Sequence, residues 1–136
     1  MIADRPLPIP TPETQQYWDA AADQRLLLQK CTVCDNVYFP PRPFCSSCSS
    51  RDIVSFDASG RGTLYSYIIN YLPAPGYSEP FIIAVVQLSE GPRMMCNIID
   101  CPAAPEHLEL DMQLEVIFEE RKQCIFVPQF RRFESQ

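Results

Sequence analysis

The chain reads as mainly β: one helix near the N-terminus, a short cysteine-rich ribbon, then a five-stranded barrel. Three observations predict this. Two Cys-x-x-Cys pairs, Cys31/Cys34 and Cys45/Cys48, stand ten residues apart. Five candidate strands follow, at 62–72, 80–88, 92–99, 114–120 and 123–130, the first of them rich in aromatic and β-branched residues. Ahead of the cysteines, "PETQQYWDAAADQ" has helical composition and a start signal. At 136 residues, with 46% hydrophobic and 21% charged residues, the chain suits one folded domain or two small modules sharing a core. Its 14 prolines against 4 glycines predict stiff connections between short elements.

The first segment, "RPLPIPTP", suits neither a helix nor a strand interior. It is either a strap lying extended on another subunit or a simple tail. Thr11 then caps a helix, Pro12 takes its first position and Glu13 faces the positive end of the dipole. Tyr17, Trp18 and Ala21 fall on one side, where the two aromatics dock the helix on the domain or on a partner. An aromatic pair in a small-molecule pocket is the sharper reading.

"RLLLQK" leads as a short strand into the first cysteine pair, and "VYFPPRP" joins it to the second. No apolar run reaches the roughly 18 residues that span a bilayer. Prolines and an acid occupy the place of a signal peptide, so a cytoplasmic location with reduced thiols is expected. Seven cysteines, an odd number, fit a disulfide framework poorly. A thioredoxin-like couple needs a βαβ context and one Cys-x-x-Cys. Tandem pairs instead suit tetrahedral thiolate coordination, each tight knuckle presenting two sulfurs to one metal. Zinc is the expected ion, with iron the competitor for the same four-sulfur geometry. Four thiolates leave no site for water, so the metal is structural, and it supplies much of the folding free energy of a module with few apolar residues.

From Ile53 onward the pattern is strands. "GTLYSYIINYL" is the long first barrel strand; "PFIIAVVQL" reads as a buried strand; Glu90-Gly91 marks a hairpin into "PRMMCNII". "CPAAPEHLELDM" is a connector with room for one helical turn, and "LEVIFEE" and "QCIFVPQF" flank Arg121-Lys122. Five strands in this arrangement match a Greek-key barrel of the OB type, with a five-stranded sandwich as the alternative.

Catalytic signals are few. His107 is the single histidine, and neither Gly-x-Ser-x-Gly nor His-Glu-x-x-His occurs. Cys96 and Cys124 lie in expected strands and Cys101 in a loop, none with an activating neighbour in sequence. Nucleic-acid binding is a rival function for ribbons and OB barrels. A net charge of −6 and only two lysines, Lys30 and Lys122, weigh against it.

The order "LLLQKCTVC", "FPPRPFCSSC", "SGRGTLYSY", "LSEGPRMMCNI" and "FVPQFRR" resembles the zinc-ribbon OB-fold family known as domain of unknown function 35. The likeness runs from about Thr11 to Arg132. It implies an N-terminal arm and helix over 1–29, a rubredoxin-like zinc ribbon over 30–52 and an OB-fold barrel with its tail over 53–136. A glycine usually follows each Cys-x-x-Cys in that family; here Asp35 and Ser49 stand there. The resemblance implies a non-catalytic accessory subunit of a thiolase-superfamily complex that makes, breaks or transfers acyl groups. One zinc on Cys31, Cys34, Cys45 and Cys48, a thiolase-fold partner in a hetero-oligomer with or without a further subunit, and CoA or acyl-CoA as a shared ligand go with it. Candidate contacts for partner, acyl group or CoA phosphates are Trp18, Arg42, Arg61, Phe130, Arg131 and Arg132. The arginines read more readily as solvated surface charges or interface salt bridges. A stand-alone acyl-CoA-binding module is the nearer alternative and a nucleic-acid-binding protein the more distant one.

Overall fold

The computed structural model describes residues 6–77 and 80–133. The start of the proline-rich arm, through Arg5, lies outside the described residues. Helix α1 (Gln15–Ala22) is followed by β1 (Leu27–Cys31), β2 (Val37–Tyr38) and β3 (Ile53–Asp57). The barrel strands are β4 (Arg61–Asn70), β5 (Phe81–Leu88), β6 (Arg93–Ile98), β7 (Gln113–Glu120) and β8 (Phe126–Arg132).

Helix α1 starts three residues later than its sequence signal. The Thr14 hydroxyl accepts the Thr11 N–H at 2.9 Å, and Thr14 N–H bonds Thr11 C=O at 3.0 Å, closing Pro12-Glu13 into a turn of their own. The helical ladder begins with Trp18 N–H to Thr14 C=O. Tyr17, Ala20 and Ala21 are buried, so α1 docks through one narrow face.

The ribbon is a three-stranded sheet in the order β2-β1-β3. Ile53–Asp57, expected to open the barrel, pairs antiparallel with β1 from Leu27↔Asp57 to Cys31↔Ile53. A five-residue partner along β1 gives the ribbon a sheet large enough to hold both knuckles, and the barrel starts only at Arg61.

The barrel closes in the order β4-β5-β6-β8-β7, with β7 returning to β4. This first-second-third-fifth-fourth order is the OB connectivity, and it excludes the sandwich. Along β5 burial alternates strictly, with Ile82, Ala84, Val86 and Leu88 inward. Gly62 is needed where β4 meets β5: a Cβ there would lie 2.6 Å from the Gln87 carbonyl oxygen and 2.7 Å from Val86. Gly60, at φ +77°, turns the chain into β4 in a conformation that suits glycine. The connector after β6 carries its one turn of 3-10 helix at Pro105–His107.

The last strand is displaced from its sequence range. Gln123 and Cys124 take φ of 63° and 59° in a turn, so β8 starts at Phe126 and runs through Arg132. The β6–β8 pair, the barrel's parallel one, makes a single registered contact, Ile98↔Phe130. Tyr17 from α1 and Leu26 and Leu28 from the ribbon end join Leu64, Ile82, Val86, Leu114 and Phe130 in one hydrophobic cluster. Ribbon and barrel therefore share a core.

Candidate functional site

The four ribbon cysteines converge. Their Sγ atoms all lie within 4.8 Å of one another, with Cys31–Cys48 and Cys34–Cys45 each at 3.6 Å. A tetrahedral site with Zn–S near 2.3 Å requires sulfurs about 3.8 Å apart, so the set fits a zinc ion. Cys31 and Cys45 are buried and Cys34 and Cys48 exposed. Each buried sulfur sits at the head of its knuckle and accepts two backbone N–H groups, from Val33 and Cys34 or from Ser47 and Cys48, at 3.3–3.5 Å. The Asn36 side-chain amide adds a third donor to Cys45 at 3.8 Å.

These donors set the thiol chemistry. The Cys48 N–H chiefly brings Cys45 down to about 6, against the cost of desolvation and helped by Ser47. At Cys34 the Asn36 N–H favours the thiolate, but desolvation and the neighbouring sulfurs outweigh it and push the thiol up to about 12. Four thiolates packed this tightly need a dication to coexist. Asp35 and Ser49, standing where the resembling family has glycine, take φ of 62° and 65°. Both knuckles thus make the left-handed turn without glycine. All four donor positions are filled by protein sulfurs, so a bound zinc would hold the fold and leave no open position for a substrate.

A second feature lies between ribbon and barrel, where β6 and β8 separate. Trp18, Phe39, Pro41, Met95, Cys96 and Pro128 line an apolar slot of about 340 Å³. Tyr17 forms its floor side, edge-on to Trp18 at 5.0 Å between ring centroids and tilted against Phe39 at 5.5 Å. Burial pushes the Cys96 thiol up to about 12. It stays protonated near neutrality and is no nucleophile there. The sulfur of Cys101 faces the backbone carbonyls of Pro102 and His107, at 3.6 Å each, and not the imidazole.

The sequence candidates divide between these places and elsewhere. Cys31, Cys34, Cys45 and Cys48 come together, and Trp18 lines the slot. Arg42 is exposed in the linker, its backbone N–H held by the Gln29 side chain at 2.7 Å. Arg61 stacks over Phe133, 3.5 Å from the ring centroid. Arg131 and Arg132 lie within β8, not beyond it, and Arg131 pairs with Glu115 at 2.9 Å. Arg132 and Phe133 border a separate cavity of about 410 Å³ with His107. Phe130 requires correction as a contact residue. It points inward on β8 and is fully buried in the core. Met95 and Cys96 were missed as slot residues because only tertiary packing brings β6 beside α1 and the linker; the proline-rich linker and Pro128 were the local signals.

Residues 18–54 match the family model of the ChsH2 rubredoxin-like zinc ribbon domain, and residues 56–119 that of the ChsH2 C-terminal OB-fold domain. A DUF35 domain-containing scaffold protein of Methanothermobacter thermautotrophicus is 31% identical, over 78% of this chain and 81% of that protein. The chain belongs to this DUF35 family of zinc-ribbon OB-fold proteins. It is also 33% identical to a probable enoyl-CoA hydratase alpha subunit of Thermomonospora curvata, over 93% of this chain but 40% of that protein's length. Benzoylsuccinyl-CoA thiolase subunit BbsA of Thauera aromatica is 28% identical over 63% of this chain and 62% of its own. Among solved structures, the Ltp2-ChsH2(DUF35) aldolase superposes with a TM-score of 0.81 at 31% identity, covering 93% of this chain and 98% of that one. Among the described residues no helix is long and apolar enough to cross a membrane.

Proposed function

We propose that this chain is a non-catalytic accessory subunit of a thiolase-superfamily complex acting on acyl-CoA or related acyl substrates. In this reading it bridges subunits, and its slot forms one wall of the acyl channel. The observation that carries the proposal is the pairing of a closed four-sulfur centre with an apolar slot whose one thiol is held protonated. Such a site can shape and shield an acyl chain, but it lacks a nucleophile and base of its own. The names of three similar proteins, an aldolase complex, a thiolase subunit and a hydratase subunit, support the same class of partner. Arg61 and Arg132, with Phe133 between strand ends, are the candidates for meeting CoA phosphates.

The test is affinity purification of the tagged protein from its native cells, with proteins identified by mass spectrometry and metal counted on the same sample. A stoichiometric thiolase-fold partner and about one zinc per chain are expected. Recovery of the chain alone, or with nucleic acid, would overturn the proposal.

A further inference from the structure

The outside of the barrel is divided into two halves of opposite character. Strands β7 and β8 carry Glu115, Glu119, Glu120 and Arg131. Ion pairs join Arg131 to Glu115 at 2.9 Å and Arg121 to Glu119 at 2.7 Å, so the charges of this half are met within the chain. Strands β4, β5 and β6 contain no aspartate or glutamate, although the chain has 17. Their outward positions around the middle of the sheet hold Ile68, Ile83, Val85 and Met95, with uncharged Ser66 and Asn97 beside them. The register sets Ile68 beside Ile83 and Val85 beside Met95, making one patch. Ile68 is 59% exposed and Met95 72%, and Tyr71 and Leu72 extend the patch past the end of β4 at 71% and 74%.

A strand apolar on both faces, as β5 is, belongs to sheets covered on both sides. The inner side is covered by the barrel core. A contiguous apolar surface of this kind marks an interaction site. Its charge says which kind of partner fits. Arg93 stands on this face, its guanidinium 3.7 Å above the Tyr65 ring and its Nε donating to Gln87 at 2.8 Å. Among the described residues of these three strands a second copy would bring another Arg93 and no carboxylate to meet it, on a molecule whose net charge is also −6. A different protein can supply the acid.

We infer that the β4-β5-β6 face is where the thiolase-fold partner docks, through a surface with an apolar centre and a carboxylate for Arg93. This rests on the proposed accessory role. Met95 belongs both to this face and to the slot, so a partner seated here reaches the slot's lip.

The test uses the full chain co-expressed with the thiolase-fold proteins of its own genome, one at a time, and binding measured on the purified pair. Ile68→Asp and Arg93→Glu lie on the face; Val54→Asp, on an exposed position of ribbon strand β3, is the control. Zinc content and thermal unfolding confirm that each variant is folded. Each face variant should weaken binding by about 30-fold or more, the scale of an interface hot spot, with the control unchanged. Wild-type affinity in both face variants would place the docking surface elsewhere while leaving the accessory role intact. If no thiolase-fold protein binds the wild type, both readings fall. If the wild type self-associates and Ile68→Asp makes it monomeric, the occupant is a second copy and the inference is wrong.

Discussion

Ser49 follows the second cysteine pair at φ 65°, exposed, in the turn where its N–H bonds the Cys45 carbonyl at 3.0 Å. Replacing it with glycine removes the steric cost of a left-handed L-residue, about 1–2 kcal/mol. Glycine gives back about 0.5–1 kcal/mol through the greater freedom of the unfolded chain. The net expectation for Ser49→Gly is a stabilisation of about 0.5–1 kcal/mol. With an unfolding entropy of about 2 cal/mol/K per residue, a chain this long should gain about 2–4 °C in Tm. Because metal binding and ribbon folding are coupled, zinc affinity in a chelator competition should tighten about two- to fivefold. Calorimetry on the zinc-loaded protein reads the first quantity and the competition reads the second. A Tm unchanged or lowered, with zinc still bound, would refute the claim that the knuckle stores this strain. Asp35→Gly should do less, since aspartate tolerates the left-handed region better than most residues.

Cys45→Ser removes a buried ligand that accepts two backbone N–H groups, and should abolish stoichiometric zinc and melt the ribbon; metal analysis with circular dichroism checks it. Phe130→Ala should cost about 3–5 kcal/mol in denaturant unfolding, the cost of an aromatic cavity in a core; near-neutral behaviour would contradict its burial. Alkaline pH should destabilise the fold. Burial raises Cys96 from an ordinary 9 to about 12, so below pH 9 both states hold the proton and nothing is lost. Between pH 9 and 12 the unfolded chain releases a proton that the folded one keeps, and stability falls by about 1.4 kcal/mol per pH unit. Buried Tyr17, also raised, adds to the fall above pH 10. Urea titrations of the wild type and Cys96→Ala at pH 8.5 to 10.5 should differ by that one increment in slope.

The sequence was informative wherever chemistry is local. The spacing of the four cysteines announced the metal centre; aromatic and β-branched content announced β4, an apolar run β5 and alternation β7. Gly62 was visible as part of a motif, but its reason, the close approach of Gln87, is a contact across strands. What local pattern could not reveal depended on pairing. Ile53–Asp57 has the composition of any short strand, and only its register with β1 assigns it to the ribbon. Phe130 was grouped with Arg131 and Arg132 as a contact because it adjoins them at the end of the expected strand, whereas the two turn residues ahead of β8 shift the strand and aim Phe130 inward. The slot was hard to see for a related reason. It is created by two strands that separate after one contact, and Pro128, which cannot donate to a ladder, is the one residue in either strand that hints at the departure.

The place where β6 and β8 part is floored from outside the barrel by Tyr17 on α1, which shares the core with Leu26 and Leu28. Sequence profiles divide the chain at residue 55, yet the piece beginning there would leave this seam open. A ribbon transplanted from one relative to another would have to bring a helix whose aromatic fits the recipient's seam. In this chain the helix, the ribbon and the barrel's third and fifth strands would therefore have to change as a matched set, although both strands are far from the helix along the sequence.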